Sequence, residues 1–158
     1  MKSETLHDLI VEELKILYYA ERQIFKAWPR IMKGASRQDL QIAFQQQLHQ
    51  TQDHVAKLEP IFDKLRIPLK GKRCPALARF LEKGREVLKE KTRAYVRDAS
   101  LIAVAQKIEH YKMAGYGSLQ VHSRLVGDEE SAALLQQNLE EEEGLGRKLT
   151  RLAGTISA

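Results

Sequence analysis

The sequence has little cysteine, few helix-breaking residues and no long apolar run. Its one cysteine, Cys74, can form neither an internal disulfide nor a cysteine zinc site, which fits a reducing cytoplasm, where we expect the protein. No apolar stretch approaches the roughly 20 residues that span a bilayer, and the polar start lacks a signal-peptide pattern, so we expect no membrane association. With 4 prolines and 9 glycines, the chain is neither collagen-like nor dominated by linkers.

The remaining composition is that of a globular protein. Hydrophobic residues make up 43% of the chain and charged residues 30%, so there is enough apolar material for a core and enough charge for a surface. A length of 158 residues is typical of one domain. We therefore expect a single domain over residues 1–158.

The positive charge is concentrated in residues 64–97. This segment holds 12 basic and 3 acidic residues, whereas the rest of the chain holds 14 bases and 18 acids. Such a segment can attract nucleic acid, phosphate or the acidic surface of a second copy. It can also be a solvated helix face, because Glu82, Glu86 and Glu90 recur at the spacing of helix salt bridges.

Apolar residues recur every three or four positions along most of the chain, which predicts an all-α protein. Pro29 and Pro60 should weaken or kink the ends of the first two helices. Ser36 and Asp39 form an approximate capping box at the start of the second helix, and Asp98 and Asp128 are placed to begin the last two. We predict helices over residues 3–33, 36–65, 75–95, 98–126 and 128–155.

The predicted loop lengths select a topology. Residues 3–66 and 98–155 each form a hairpin, because only about three residues separate their helices. Residues 67–97 form a long basic crossover that carries its own short helix. One long crossover between two hairpins is the ferritin-like arrangement of a four-helix bundle.

Polar side chains interrupt the apolar face of each main helix. Unpaired carboxylates are expensive to bury, so a set of them needs basic partners, shared protons or a cation. The interrupting residues are Glu13 and Glu21 in the first helix, Gln50 and His54 in the second, Glu109 in the fourth and Glu142 in the last.

Two interpretations of these residues stay open. In the first, they converge on a metal ion, because carboxylates and one or two histidines from facing helices hold di-iron and di-manganese centres. Iron or manganese would then be bound by Glu21, Gln50, His54, Glu109 and Glu142. In the second, the residues lie at the edges of the apolar faces and bond to Tyr18, Tyr111, Tyr116, Lys112 or Arg124.

The spacing within the hairpins predicts where the site would lie. Glu21 and His54 lie at similar distances from the first turn, and Glu109 and Glu142 at similar distances from the second. All four side chains should therefore meet at one level of the bundle. The usual Glu-x-x-His signature is absent there, since its only occurrence is at residues 4–7. We expect at most one well-held ion, or an empty site filled by hydrogen bonds.

Three stretches of the sequence are distinctive. They are Leu-Tyr-Tyr-Ala-Glu-Arg-Gln at residues 17–23, Ala-Gln-Lys-Ile-Glu-His-Tyr at residues 105–111 and Ala-Gly-Tyr-Gly-Ser-Leu at residues 114–119. Shorter matching stretches lie at residues 71–74, 139–142 and 149–153. In this order, and over nearly the whole chain, they resemble the YciE/YciF-like family of bacterial ferritin-like stress proteins.

The resemblance implies a ferritin-like bundle that is usually dimeric, takes part in stress responses and is suspected of binding metal, without a defined reaction. It supports Glu21, Glu109 and Glu142 as ligands, and His54 more weakly. The chain departs from the family pattern where an acidic residue is expected, at Gln50, Lys112 and Gly146. Its residues 82–91 are basic, whereas that segment is usually acidic in the family.

We therefore predict a ferritin-like stress-response protein with a partly degenerate metal site and no defined catalytic reaction. Weak di-metal oxidase or peroxide chemistry is the enzymatic alternative. A different alternative is an interaction module whose basic crossover binds an anionic partner such as DNA, although few aromatic residues accompany the basic ones. The apolar residues of the crossover helix must be buried on the bundle or on a second subunit, and we expect a homodimer.

Overall fold

A computed structural model describes residues 5–157 as an all-α protein with five helices and, within that range, no strand. Ser3, the predicted start of the first helix, lies outside the described residues. None of the described helices combines the length and apolar character needed to cross a membrane. The helices are α1 (Leu6–Met32), α2 (Gln38–Leu65), α3 (Pro75–Lys89), α4 (Ala94–Leu125) and α5 (Glu129–Ala153).

The boundary between α3 and α4 differs from the prediction. The short helix ends at Lys89 instead of near residue 95, and α4 begins at Ala94 with Arg93 as its N-cap. Asp98 therefore lies inside α4 and does not begin it. Asp128 does begin α5 as predicted, because its side chain accepts a hydrogen bond from the Ser131 amide.

The predicted capping box at Ser36 is wrong, because Ser36 and Asp98 bind each other. The Ser36 amide donates to Asp98 Oδ1 at 2.8 Å, and the Ser36 hydroxyl donates to Asp98 Oδ2 at 2.6 Å. The N-cap of α2 is Arg37, whose side chain makes no capping bond. Asp98 is completely buried, so this pair joins the α1–α2 turn to the first part of α4.

We expect Asp98→Ala to lower the free energy of unfolding by about 2–3 kcal/mol, because it leaves two donors of Ser36 without their acceptor. Urea unfolding followed by circular dichroism measures the change. Asp53→Ala is the matched control, because Asp53 is exposed on α2; it should change stability by less than about 0.5 kcal/mol. Equal effects of the two substitutions would contradict the structural role of Asp98.

The four long helices pack side by side around a common core. The helix α1 packs against α2 and α4, and α5 packs against the same two helices, while α3 lies against α1 and α4. Apolar side chains form two separate clusters, one around Trp28 and Phe44 and the other around Tyr18, Phe62 and Leu135. Buried polar residues lie between these two clusters along each long helix.

The apolar face of α3 is buried by the chain itself. Leu77, Leu81 and Val87 belong to the cluster around Trp28. A second subunit is therefore not needed to cover these side chains, and the homodimer stays a prediction that this helix does not support.

The segment between α2 and α3 is held tightly against α1. The Lys72 amide donates to the Lys15 carbonyl at 3.0 Å. A side chain at Gly71 would bring a Cβ atom within 2.9 Å of the Tyr19 Cα, so only glycine allows this approach. The crossover thus has a defined position on α1.

Candidate functional site

The buried polar residues between the two apolar clusters form a layer, which we call the polar layer. It draws on α1, α2, α4 and α5, so the register of all four long helices determines its geometry. Its members are completely buried: Glu21, Gln47, Thr51, His54, Glu109, Lys112, Tyr116, Asn138 and Glu142.

Three candidate ligands from three helices meet in the polar layer. One ligand atom from each of Glu21, His54 and Glu142 lies within 4.8 Å of the other two. His54 Nδ1 is 3.2 Å from Glu21 Oε2 and 2.9 Å from Glu142 Oε1. Two carboxylates and an imidazole at this separation could hold a metal ion.

Lys112 places an ammonium group against the same carboxylates. Its Nζ atom is 2.7 Å from Glu21 Oε1 and 2.5 Å from Glu142 Oε1, and all three side chains are completely buried. A buried charge requires a partner of opposite sign, and here each carboxylate has the ammonium. The cation beside this pair of carboxylates is therefore supplied by the protein.

The far side of the His54 ring is also occupied by a carboxylate. His54 Nε2 is 3.0 Å from Glu141 Oε2, and Lys57 Nζ is 3.2 Å from the other Glu141 oxygen. Burial opposes the charge on Glu141, but hydrogen bonds from His54 and Lys57 hold its pKa below the ordinary value. Glu141 orients the ring in the way that outer carboxylates orient metal-binding histidines.

The two buried glutamates of α1 and α4 differ in their titration. Burial alone would raise the pKa of Glu21, but the Lys112 charge and the His54 contact hold it below its ordinary value. Burial raises the pKa of Glu109, and the nearby Glu21 charge adds to that increase while Lys112 opposes it. Glu21 thus favours the carboxylate form, whereas Glu109 is shifted toward the protonated acid.

Hydrogen bonds account for part of the remaining polar layer. Tyr116 donates to Glu21 Oε2 at 2.7 Å, and Gln47 Nε2 donates to Glu109 Oε1 at 2.6 Å. The second oxygen of Glu109 has no hydrogen-bond partner among the described residues. Glu109 is therefore bonded to the amide of Gln47 and lies outside the Glu21–His54–Glu142 group.

The structure brings some of the predicted site residues together and leaves others outside that group. The structure brings Glu21, His54 and Glu142 together, and it places Glu109 in the same layer beside Gln47. Gln50 is half-buried, and its side-chain oxygen is buried without a hydrogen-bond partner among the described residues, so its role as a ligand stays a prediction.

The sequence interpretation missed three of the residues that shape this layer. Neither Gln47 nor Glu141 is among the predicted site residues. Lys112 was treated as a departure from the family and as one of several partners in the second interpretation. Lys112 lies three positions after Glu109, on the face of α4 that carries Ala105 and Tyr116. That spacing was the available signal, because residues three or four positions apart share a helix face.

The carboxylate and imidazole donors suit a metal ion, but the Lys112 ammonium already contacts both carboxylates. Carboxylate and imidazole ligands with an outer carboxylate on the histidine are typical of iron and manganese sites. An ion bound to Glu21 and Glu142 would lie beside the Lys112 ammonium, which already contacts both carboxylates. Because like charges repel strongly in a buried site, these residues do not fit a divalent ion while Lys112 is charged.

Comparisons with known proteins agree with the fold and the resemblance. The family described as "Domain of unknown function (DUF892)" matches residues 5–158. Protein YciF of Escherichia coli K12 is 33% identical over 154 residues, which cover 97% of this chain and 93% of that protein.

Solved structures extend this likeness to three dimensions. The crystal structure of the E. coli stress protein YciF matches with a TM-score of 0.91 and covers 96% of each chain at 33% identity. YcfI from Rhodopseudomonas palustris matches with a TM-score of 0.90 at 33% identity, over 98% of this chain and 96% of that one. A Xanthomonas campestris protein at 18% identity and a TM-score of 0.78 shares the fold.

Proposed function

This chain belongs to the DUF892 family, and we propose that within it the protein is a ferritin-like stress-response protein whose buried lysine takes the place of a metal ion. The stress-response role rests on its homology to YciF, which is described as a stress protein. The ferritin-like four-helix bundle is supported by two helical hairpins joined by a long crossover. A cytoplasmic location and a homodimer are parts of the same proposal.

The position of Lys112 carries this proposal. Its ammonium contacts Glu21 and Glu142, two of the three residues that could otherwise hold a metal. The ammonium offers three donors to the carboxylates, but it has no open coordination position and no redox state. The protein therefore acts as a structural component, without metal-dependent turnover.

In this proposal, the polar layer fixes how the four long helices pack against one another. Lys112 of α4 joins Glu21 of α1 to Glu142 of α5, and His54 of α2 contacts both carboxylates. One contact set thus connects all four long helices. Shifting any of these helices by one turn would separate buried charges, which is strongly unfavourable. We assign to the layer the role of specifying helix register.

Metal binding by Lys112→Met tests the proposal. We expect purified wild-type protein to bind less than about a tenth of an equivalent of Mn²⁺ or Co²⁺, because the ammonium holds the carboxylates. Lys112→Met removes this charge with little change in length and should bind about one equivalent through Glu21, His54 and Glu142. Equilibrium dialysis with elemental analysis gives the stoichiometry, and Co²⁺ absorption reports the ligand environment.

A second substitution shows whether the gained ion lies in the polar layer. Adding Glu21→Gln to Lys112→Met removes one carboxylate and should abolish most of the gained binding. Stoichiometric metal that wild-type protein retains through dialysis, and loses in Glu21→Gln, would refute the proposal and support a resident metal ion.

A further inference from the structure

Two adjoining cavities form one groove between α1, the crossover and α3. The first has a volume of about 270 Å³ and lies between α1 and residues 69–71, and the second has about 280 Å³ and lies between α1 and α3. Tyr19, Gln23 and Lys26 line both cavities, so the two are continuous. We call this the α1–crossover groove.

Among the described residues, the groove is lined by four cations and by no carboxylate. Arg22 and Lys70 line the first cavity, Arg85 lines the second, and Lys26 lines both. None of the four forms an ion pair with an acid among residues 5–157. Arg22 has only a 3.4 Å hydrogen bond to the Tyr18 hydroxyl and a contact with its ring. These charges therefore remain available to an anion.

Two basic residues of α3 that lie outside the groove, Arg79 and Lys83, are paired with acids. A third cavity, of about 210 Å³, is lined by Arg79, Lys83 and Lys107. There Arg79 pairs with Glu82 at 3.1 Å, and Lys83 lies 3.9 Å from Glu90. A concentration of bases thus does not by itself leave every charge unpaired, and the α1–crossover groove differs because no acid among residues 5–157 pairs with its cations.

The walls of the groove are held in place by the fold. Gly71 packs against the backbone of Tyr19, and Leu77 and Leu81 of α3 are buried in the core. The Lys72 side chain is tied to Glu12 of α1. The backbone that carries the cations is therefore positioned before any ligand arrives, which lowers the entropic cost of binding.

From this arrangement we propose that the α1–crossover groove binds a small molecule that carries two or more phosphate groups. Arginine and lysine are the usual partners of phosphate oxygens, and the cations here are divided between two adjoining cavities. Concave cavities of this size suit a small ligand, whereas non-specific duplex DNA binding uses an extended basic surface. Tyr19 and Gln23 add an aromatic wall and an amide between the two charged parts.

Isothermal titration calorimetry with sodium tripolyphosphate tests the proposal. At low salt we expect wild-type protein to bind one tripolyphosphate, and to bind orthophosphate at least tenfold more weakly because it can reach only one cavity. Lys26→Gln should lower tripolyphosphate affinity about tenfold, since it removes the cation common to both cavities. Lys83→Gln is the matched control, and it should change affinity less than twofold.

Duplex DNA is the alternative ligand against which tripolyphosphate binding is compared. No tripolyphosphate binding, or equal losses in Lys26→Gln and Lys83→Gln, would overturn the proposal. Binding of duplex DNA that is tighter than that of tripolyphosphate and insensitive to Lys26→Gln would also overturn it and favour an extended basic surface. The groove shares no residue with the polar layer, so these results are independent of the metal-binding test.

Discussion

Lys112→Met should lower the free energy of unfolding by about 3–5 kcal/mol, because it leaves two buried carboxylates without their cation. The Lys112 side chain is completely buried, and its Nζ atom lies 2.7 Å from Glu21 and 2.5 Å from Glu142. Methionine fills a similar volume, so the loss reports mainly the missing charge. Urea unfolding in a chelator, followed by circular dichroism, measures the difference.

Lys107→Met is the control for this substitution. Lys107 is exposed on the same helix, so its replacement should change stability by less than about 0.5 kcal/mol. Adding Mn²⁺ at about 100 times its dissociation constant should restore about 2.7 kcal/mol to Lys112→Met and nothing to wild-type protein. A Lys112→Met protein as stable as wild type would show that the polar layer does not depend on the ammonium.

Trp28→Ala should also lower the free energy of unfolding by about 3–5 kcal/mol. Trp28 is completely buried and packs edge to face on Phe44, with ring centroids 5.0 Å apart. Its indole N–H has no hydrogen-bond partner among the described residues, so its contribution comes from packing. Far-UV circular dichroism is the suitable probe, because the chain has only 1 tryptophan and the substitution removes its fluorescence.

Two further substitutions separate packing from other effects. Trp28→Phe keeps much of the aromatic volume and should be less destabilising than Trp28→Ala. Phe25→Ala changes a residue of the same helix that is 40% exposed, and it should cost less than about 1 kcal/mol. A loss in Phe25→Ala equal to that in Trp28→Ala would mean that helix propensity, not core packing, explains the effect.

The apolar cluster around Trp28 and the polar layer should contribute to stability in different ways. Trp28 contributes through apolar contacts that any well-packed neighbour can supply. Lys112 contributes through charges that only a partner of opposite sign can satisfy, at one register of the helices. Both substitutions should cost about 3–5 kcal/mol, so rescue by Mn²⁺, which we expect for Lys112→Met and not for Trp28→Ala, is what distinguishes the two kinds of contribution.

The sequence by itself determined the helices and their order. Helical periodicity is a local property, so the ranges of α2 and α5 followed from the spacing of apolar residues and from Asp128. It also indicated that Glu21, His54 and Glu142 would face inward, because one polar residue on an apolar face is visible in a one-dimensional pattern. The short turns within the hairpins then predicted their common level.

Only the tertiary structure decided which groups satisfy one another. The carboxylate of Asp98 binds Ser36 across 62 positions of sequence instead of capping a helix, and no local pattern contains that information. Glu141 reaches His54 although Glu140 and Glu143 in the same run of glutamates are exposed. In the sequence, Lys112 stands where the family pattern has an acidic residue. In the structure, its ammonium contacts both Glu21 and Glu142. The cation of a buried cluster is determined by distances between helices, and those distances exist only once the helices have packed.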